Sequence, residues 1–389
     1  MAPQSISAAP IRLTLLTGFL GAGKTTLLNR LIGDPALSGA AVVVNEFGEA
    51  AIDPILVEAV SSDGVISLSN GCLCCTVRGE LIDTLCDLAE AKNGEGGAPL
   101  QRVVVETTGL ADPGPILSAL MSHPTLVEAY TLDGVVTVVD GAHGAKTLDD
   151  HADSRRQVAV ADRIVLTKGD LASPAALQAT RTAIRDLNAR APIVDASTIT
   201  GAEGILVGCG LTATLARGDD IGVWLGEPSD QPDAHCDHEH DHYYHHDGDH
   251  SHGHHDHEHH LRQDGIRSFS LETDRPVTWL AITGFLEILN GTAGQKILRM
   301  KGIVRLAEDP DRPLVLHGVQ GFLHPPARLA AWPAGAGGKT RLVVIAQDLE
   351  ESFVRDLFAA FTGGVAPDTA DRTAIEENPL AIPGLRFGP

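Results

Sequence analysis

The sequence predicts an α/β chain: a domain on a mostly parallel sheet, then a smaller α+β domain. Three observations carry this. From Ile11 to about Leu215, short apolar runs alternate with helix-length segments. The runs are Arg12–Thr17, Ala41–Val44, Val65–Leu68, Arg102–Glu106, Val135–Asp140 and Arg163–Thr167, with helices expected at Lys24–Gly33, Leu81–Lys92 and Pro174–Ala189. Buried strands at such intervals require crossover connections and therefore pair in parallel. Next, residues 216–262 turn to Gly, Asp and Pro and then to histidine, too polar to build a core. Finally, a second folded unit opens with a strand at Ile266–Leu271 and a helix over Pro276–Leu289. Strands at Ile297–Leu306, Leu314–Gly318 and Leu342–Ala346 follow, and a helix at Glu350–Phe361 closes it. The expected units are 1–215, the linker 216–262, the second domain 263–362 and a loosely ordered tail 363–389.

Composition narrows the function. The 389 residues carry a formal charge of -22, which repels nucleic acid and anionic membrane surfaces as main partners. The N-terminus has no basic n-region followed by an apolar h-region, and no apolar run approaches the length of a membrane span. A cytoplasmic location is the expectation. Three of the six cysteines, Cys72, Cys74 and Cys75, crowd one short segment, a spacing that suits metal or thiol chemistry better than disulfides.

Gly18-Phe-Leu-Gly-Ala-Gly23-Lys24-Thr25 fits the phosphate-binding pattern G-x-x-x-x-G-K-[ST] and lies between an expected strand and an expected helix. Backbone N–H groups from Gly18, Gly21, Ala22 and Gly23 through Thr26 would cradle the phosphates at a helix N-terminus. Lys24 would reach the β- and γ-phosphates, and the Thr25 hydroxyl would bind Mg2+. Arg102-Val-Val-Val-Glu106-Thr-Thr-Gly109 places a carboxylate at the end of a buried strand, where it can hold the magnesium shell, with a glycine beside the γ-phosphate. Asn45-Glu-Phe-Gly-Glu49 adds two carboxylates at the same edge. Alone it also suits a surface turn; beside the loop it reads as a switch, and Glu49 joins Lys24 and Glu106 as the candidate catalytic set. Thr167-Lys168-Gly169-Asp170 follows a strand. Its aspartate can accept from both guanine N1–H and the exocyclic amine while the lysine stem covers the ring, so GTP is expected over ATP. Thr167 stands where the usual guanine signature has Asn, removing an amide that normally bridges loop segments.

Cys72 and Cys74, two apart with Cys75 beside them, can face one ion, and thiolates favour Zn2+, Cu(I) and related metals. The plainer alternative is inert cysteines in a tight turn. His123, in Ser-His-Pro, is the candidate fourth ligand, against the reading of a loop histidine with no metal role. Residues 235–260 hold 13 of the 18 histidines with seven acids and no Lys or Arg. Such a tract collects divalent cations loosely, or serves only as a solvated spacer.

Together TGFLGAGKTT, NEFGE, GCLCC, ETTGLADP, LTKGD, the histidine tract and a C-terminal KILRMKGIVRL with GVQGF resemble the CobW-type P-loop GTPases. These are metallochaperones similar to the nickel-inserting GTPases of hydrogenase and urease maturation. The resemblance implies a P-loop NTPase domain and a Zn2+-like metal on Cys72, Cys74 and Cys75. It also implies that Cys75, Thr76, Val77, Arg78 and Gly79 line the phosphates, and that hydrolysis releases the metal to a client metalloprotein. Cobalt insertion and non-catalytic metal storage stand as alternatives. The Cys-Pro-x-Leu-Val-Pro client-docking segment of some eukaryotic members is missing from the N-terminus, so their aminopeptidase client is not implied.

Overall fold

Seven of the eight residues of β1 (Ile11–Gly18) are buried, and only Arg12 reaches solvent. Such a strand needs neighbours on both edges and helices on both faces. A computed structural model supplies them, describing residues 10–45, 65–68, 76–92, 100–210, 225, 265–324, 326–333 and 336–363. The remaining strands of the first sheet are β2 (Ala40–Asn45), β3 (Val65–Leu68), β4 (Arg102–Glu106), β5 (Tyr130–Asp140), β6 (Arg163–Thr167) and β7 (Ile193–Asp195). They pair in parallel throughout, in the order β3-β2-β4-β1-β5-β6-β7. The flanking helices are α1 (Lys24–Leu31), α2 (Thr76–Lys92), α3 (Gly114–Ser122), α4 (Pro124–Ala129), α5 (Gly144–Asp150), α6 (Ala152–Ala159) and α7 (Pro174–Leu187).

Two elements differ from expectation for clear reasons. β5 begins five residues before the apolar run, because Asp133 is buried as the partner of Arg102 and of the Gly208 and Gly210 N–H groups. The short helices α3 to α6 lack a long apolar period. α3 and α4 instead each carry a proline within their first two residues, Pro115 and Pro124, whose fixed φ suits a helix start.

The second unit is an antiparallel sheet of β8 (Ile266–Thr273), β9 (Ile297–Val304), β10 (Leu314–Val319), β11 (Phe322–Leu323) and β13 (Thr340–Gln347), with β12 (Ala327–Arg328) paired to β10. α8 (Trp279–Ala293) starts at Thr278, whose hydroxyl caps the Ala281 N–H, and packs with α9 (Glu351–Thr362). Along β9, Met300 and Val304 enter the core beneath α8 and α9. Arg299 and Lys301 alternate with them onto the opposite face, the period-two signature of a strand. Leu298, Val319 and Ile345 join the core of the first domain beside Leu117, Leu120 and Val160.

At the centre of this contact, Asp162, just before β6, accepts from Arg299 at 2.5 Å and pairs with Lys301. It also accepts from the Val135 N–H at 2.8 Å, and Arg299 donates to the Val160 carbonyl at 2.9 Å. Burial alone raises the Asp162 carboxyl, but Arg299, Lys301 and His317 hold it well below the usual carboxylate range. The expected linker 216–262 lies outside the described residues except for Leu225, as does the tail beyond 363.

Asp162→Ala leaves two buried cations without their carboxylate and is expected to cost about 3–5 kcal/mol, read by denaturant unfolding of the full chain. Because the folded carboxyl is depressed, its contribution is present above the ordinary value of about 4 and is lost as acid protonates it. Wild-type stability therefore falls on acidification below about pH 4, and the Asp162→Ala chain shows less of that fall.

Candidate functional site

Parallel strands end their chains on one edge, and the motif residues gather there. β1 pairs with β4 in register Leu16↔Glu106, and the Thr107 N–H continues the ladder to the Leu16 carbonyl at 2.9 Å. Past β1 the backbone turns through Gly18 to Gly23 into α1. Gly18 has φ +142 and a Cβ there would overlap the Val138 carbonyl, so glycine is required. Lys24 is buried, and its Nζ donates to the Gly18 carbonyl at 2.9 Å and the Phe19 carbonyl at 3.3 Å, inside the loop. Thr25 Oγ1 donates to Glu106 Oε1 at 2.6 Å, and Glu106 is 2% exposed. A hydroxyl and a carboxylate so close form the oxygen set that suits Mg2+. Thr26 faces outward at the start of α1.

The Thr107-Thr108-Gly109 turn lies directly against this loop. Thr107 Oγ1 donates to Thr17 Oγ1 at 2.9 Å. A Cβ at Gly109 would stand 2.6 Å from the Leu20 backbone, so only glycine lets the two segments approach.

Thr167 corrects one expectation. Its hydroxyl donates to the Ala22 carbonyl at 2.6 Å, with the Val139 carbonyl at 3.3 Å, so the tie between base segment and phosphate loop is made by a hydroxyl rather than lost with the amide. Lys168 takes a left-handed backbone, φ 54, and its Nζ donates to Asp140 Oδ2 at 2.8 Å. Gly169 and Asp170 continue into a short 3-10 turn, with Asp170 exposed. Asp140 was given no role from the sequence, although a carboxylate ending a strand on this edge was the available signal. Burial disfavours its charge, yet Lys168 and the His143 and Ala142 N–H groups hold its carboxyl below its ordinary value. Asp195, also missed, accepts from the Ser197 N–H and hydroxyl beside Gly169. A cavity of about 170 Å3 borders the loop, lined by Phe19, Ala22, Asp140, His143, Gln157 and Lys168. Phe19 stacks on His151 with ring centroids 4.4 Å apart.

Glu49, Cys72, Cys74 and Cys75 lie outside the described residues. On one flank Leu68, ending β3, pairs with Asn45 at the edge where Glu106 ends β4, and on the other Thr76 opens α2. Thr76, Val77, Arg78 and Gly79 form the first turn of α2, with Gly79 exposed.

His123 follows α3 directly. It sits at the far end of α3, nine residues or about 13 Å along the helix from the nucleotide edge. Nearby Thr125 hydrogen-bonds Cys86, ten residues or about 15 Å beyond Thr76 on α2. Because Cys72, Cys74 and Cys75 lie outside the described residues, His123 as a fourth ligand stands as a proposal. Among the described residues, no group of three or more His, Cys, Asp or Glu side chains is arranged to hold a metal ion.

Residues 12–195 match the CobW/HypB/UreG nucleotide-binding domain, and residues 266–362 match the cobalamin synthesis protein cobW C-terminal domain. The chain is 32% identical over 360 residues to the zinc chaperone YjiA of Escherichia coli, covering 90% of this chain and 98% of that one. It is 32% identical over 382 residues to the zinc chaperone CobW of a Sinorhizobium species, covering 89% and 96%. Against the zinc-regulated GTPase metalloprotein activator 1 of Schizosaccharomyces pombe it is 36% identical over 192 residues, covering 48% and 46%. The crystal structure of Zn(II)-bound YjiA GTPase from E. coli superposes with a TM-score of 0.60 at 29% identity, covering 91% of this chain and 99% of that one. A chain that matches both domain models in order, and runs nearly the full length of relatives at this identity, belongs to the CobW family.

Proposed function

We propose that this chain is a GTP-hydrolysing metallochaperone that carries Zn2+ or a similar divalent ion and passes it to a client metalloprotein. The carrying observation is the 2.6 Å hydrogen bond from Thr25 to Glu106, which joins the phosphate loop to the end of the neighbouring strand. Relatives named zinc chaperones and a zinc-regulated GTPase activator support the metal and the reaction.

In this reading Lys24 leaves its loop carbonyls for the β- and γ-phosphates. Thr25 and Glu106 hold Mg2+, which neutralises charge on the transferring phosphoryl group. Gly18, Gly21, Ala22, Gly23 and Thr26 present N–H groups to the phosphates, and Glu49 supplies the second carboxylate. Asp170 reads the base while Lys168, held by Asp140, covers its face. Cys72, Cys74 and Cys75 bind the cargo ion, a donor set that favours Zn2+ over harder cations. Cys75 to Gly79 run from that site into α2, so a change at the phosphates reaches the thiolates through one short segment.

The domain division of the proposal is 1–215, 216–262, 263–362 and 363–389, with the histidine tract as a loose cation reservoir. No described helix is long and apolar enough to cross a membrane. The proposed setting is the cytoplasm, where thiolates stay reduced.

Lys24→Ala is expected to abolish GTP turnover, measured as phosphate release; normal hydrolysis by that variant refutes the phosphate-loop assignment. Replacing Cys72, Cys74 and Cys75 together with Ser is expected to remove one tight metal equivalent, read by metal analysis of chain isolated with a non-hydrolysable GTP analogue. Deleting 235–260 is expected to remove only weaker equivalents. If that deletion takes the tight equivalent instead, the cargo site is the tract and not the cysteines.

A further inference from the structure

Gln157, in α6, is fully buried. Its Nε2 donates to the Gly109 carbonyl at 3.2 Å and the Ala111 carbonyl at 3.0 Å. Two acceptors face the amide, so only its nitrogen end fits there. The other end, Oε1, is buried with no hydrogen-bond partner among the described residues. A buried unmatched acceptor destabilises a fold and calls for an explanation. Here the amide keeps both its donors on one short stretch of backbone.

That stretch lies between the magnesium carboxylate and α3. On one side Gly109 touches the Leu20 backbone so closely that a Cβ does not fit. On the other stands the Gln157 amide, so the turn is gripped from both faces. Gln157 is itself seated from the sheet, since Thr137 Oγ1 donates to its carbonyl at 2.7 Å. Its neighbour Arg156 reaches Asp112 at 3.5 Å. At the end of the stretch the Gln320 side chain, from the second domain, fills the place a Cβ at Gly114 would take.

We propose that Gln157 is a positioning residue for the γ-phosphate. It sets where the Gly109 backbone stands beside Leu20, and so how strongly the site distinguishes a nucleoside triphosphate from a diphosphate. The inference rests on the phosphate-loop reading above. Gln157 touches no reacting atom. It acts through the two carbonyls it holds, and its removal loosens the turn without altering Lys24, the diphosphate cradle or the base segment.

The test uses the full chain with Gln157→Met, which keeps the volume and removes the donors. Fluorescent GDP and a fluorescent non-hydrolysable GTP analogue are titrated, and GTP turnover is measured. GDP affinity is expected to stay within about twofold of wild type, while affinity for the GTP analogue and kcat each fall about tenfold, within the range of the two hydrogen bonds lost. Equal losses for the two nucleotides mark a merely structural role and overturn the proposal; so does no loss for either. Should the variant not fold, hydrogen exchange on the wild-type chain decides. Amides of 107–114 exchange more slowly with the GTP analogue than with GDP if the proposal holds, and equally if it does not. If the phosphate-loop reading itself is wrong, Lys24→Ala still turns over GTP; if only the Gln157 assignment is wrong, Lys24 dependence survives intact.

Discussion

Everything at the nucleotide edge depends on β4 lying beside β1 and ending level with it. Neither strand is next to the other in sequence; a parallel pair needs long crossovers, and here residues 19–101 supply them. The register Leu16↔Glu106 then puts a carboxylate at the mouth of the phosphate loop. Burying that carboxylate is costly unless it is paired. The first helical turn supplies the donor, because Thr25 follows Lys24 by one residue and the loop delivers both together. The valines before Glu106, Val103 to Val105, are fully buried, so the strand cannot shift by a residue without moving its whole apolar set. Site geometry and core packing are therefore one constraint.

The second domain is held by an arrangement of a different kind. A buried ion pair adds little net stability, because desolvation offsets most of its attraction. Its contribution is to register. A sheet face carrying Arg299 and Lys301 can bury itself only where a carboxylate waits, and Asp162 is 5% exposed at that point. One carboxylate between two cations leaves a surplus positive charge, and Arg299 places part of it on the Val160 carbonyl. The aliphatic contacts of Leu298, Val319 and Ile345 provide the attraction, while the charges select the seat. That seat puts the Gln320 turn over Gly114, on the segment leading away from Glu106.

How much of this was legible follows from range in sequence. The phosphate loop, the Glu106 strand and the base segment announce themselves within eight residues or so, since their chemistry is local. The continuous apolar strands and the two amphipathic helices α7 and α9 were equally readable. The first half of β5 was hidden because Asp133 and Gly134 look like a turn, and only the distant Arg102 makes the aspartate a core residue. β7 is three half-buried residues with no pattern to read. Asp140 and Gln157 looked ordinary because their partners are 28 and 48 residues away at the hydrogen bonds that matter.

Thr167 shows why a departure from a familiar pattern need not remove its function. A bridging amide is useful because it crosses from the base segment to the phosphate loop. The crossing here is short: a Cβ on Gly23 would lie 3.6 Å from the Thr167 methyl. A γ-hydroxyl already spans it and reaches Ala22 at 2.6 Å. Threonine thus makes the crossing with its oxygen, while its methyl lies on the Gly23 side. Asp140 then steadies Lys168 from the side, and Asp170 stands exposed two residues on. In the proposed reading of guanine by Asp170, the rigidity behind that carboxylate comes from the Thr167 hydroxyl in place of the amide.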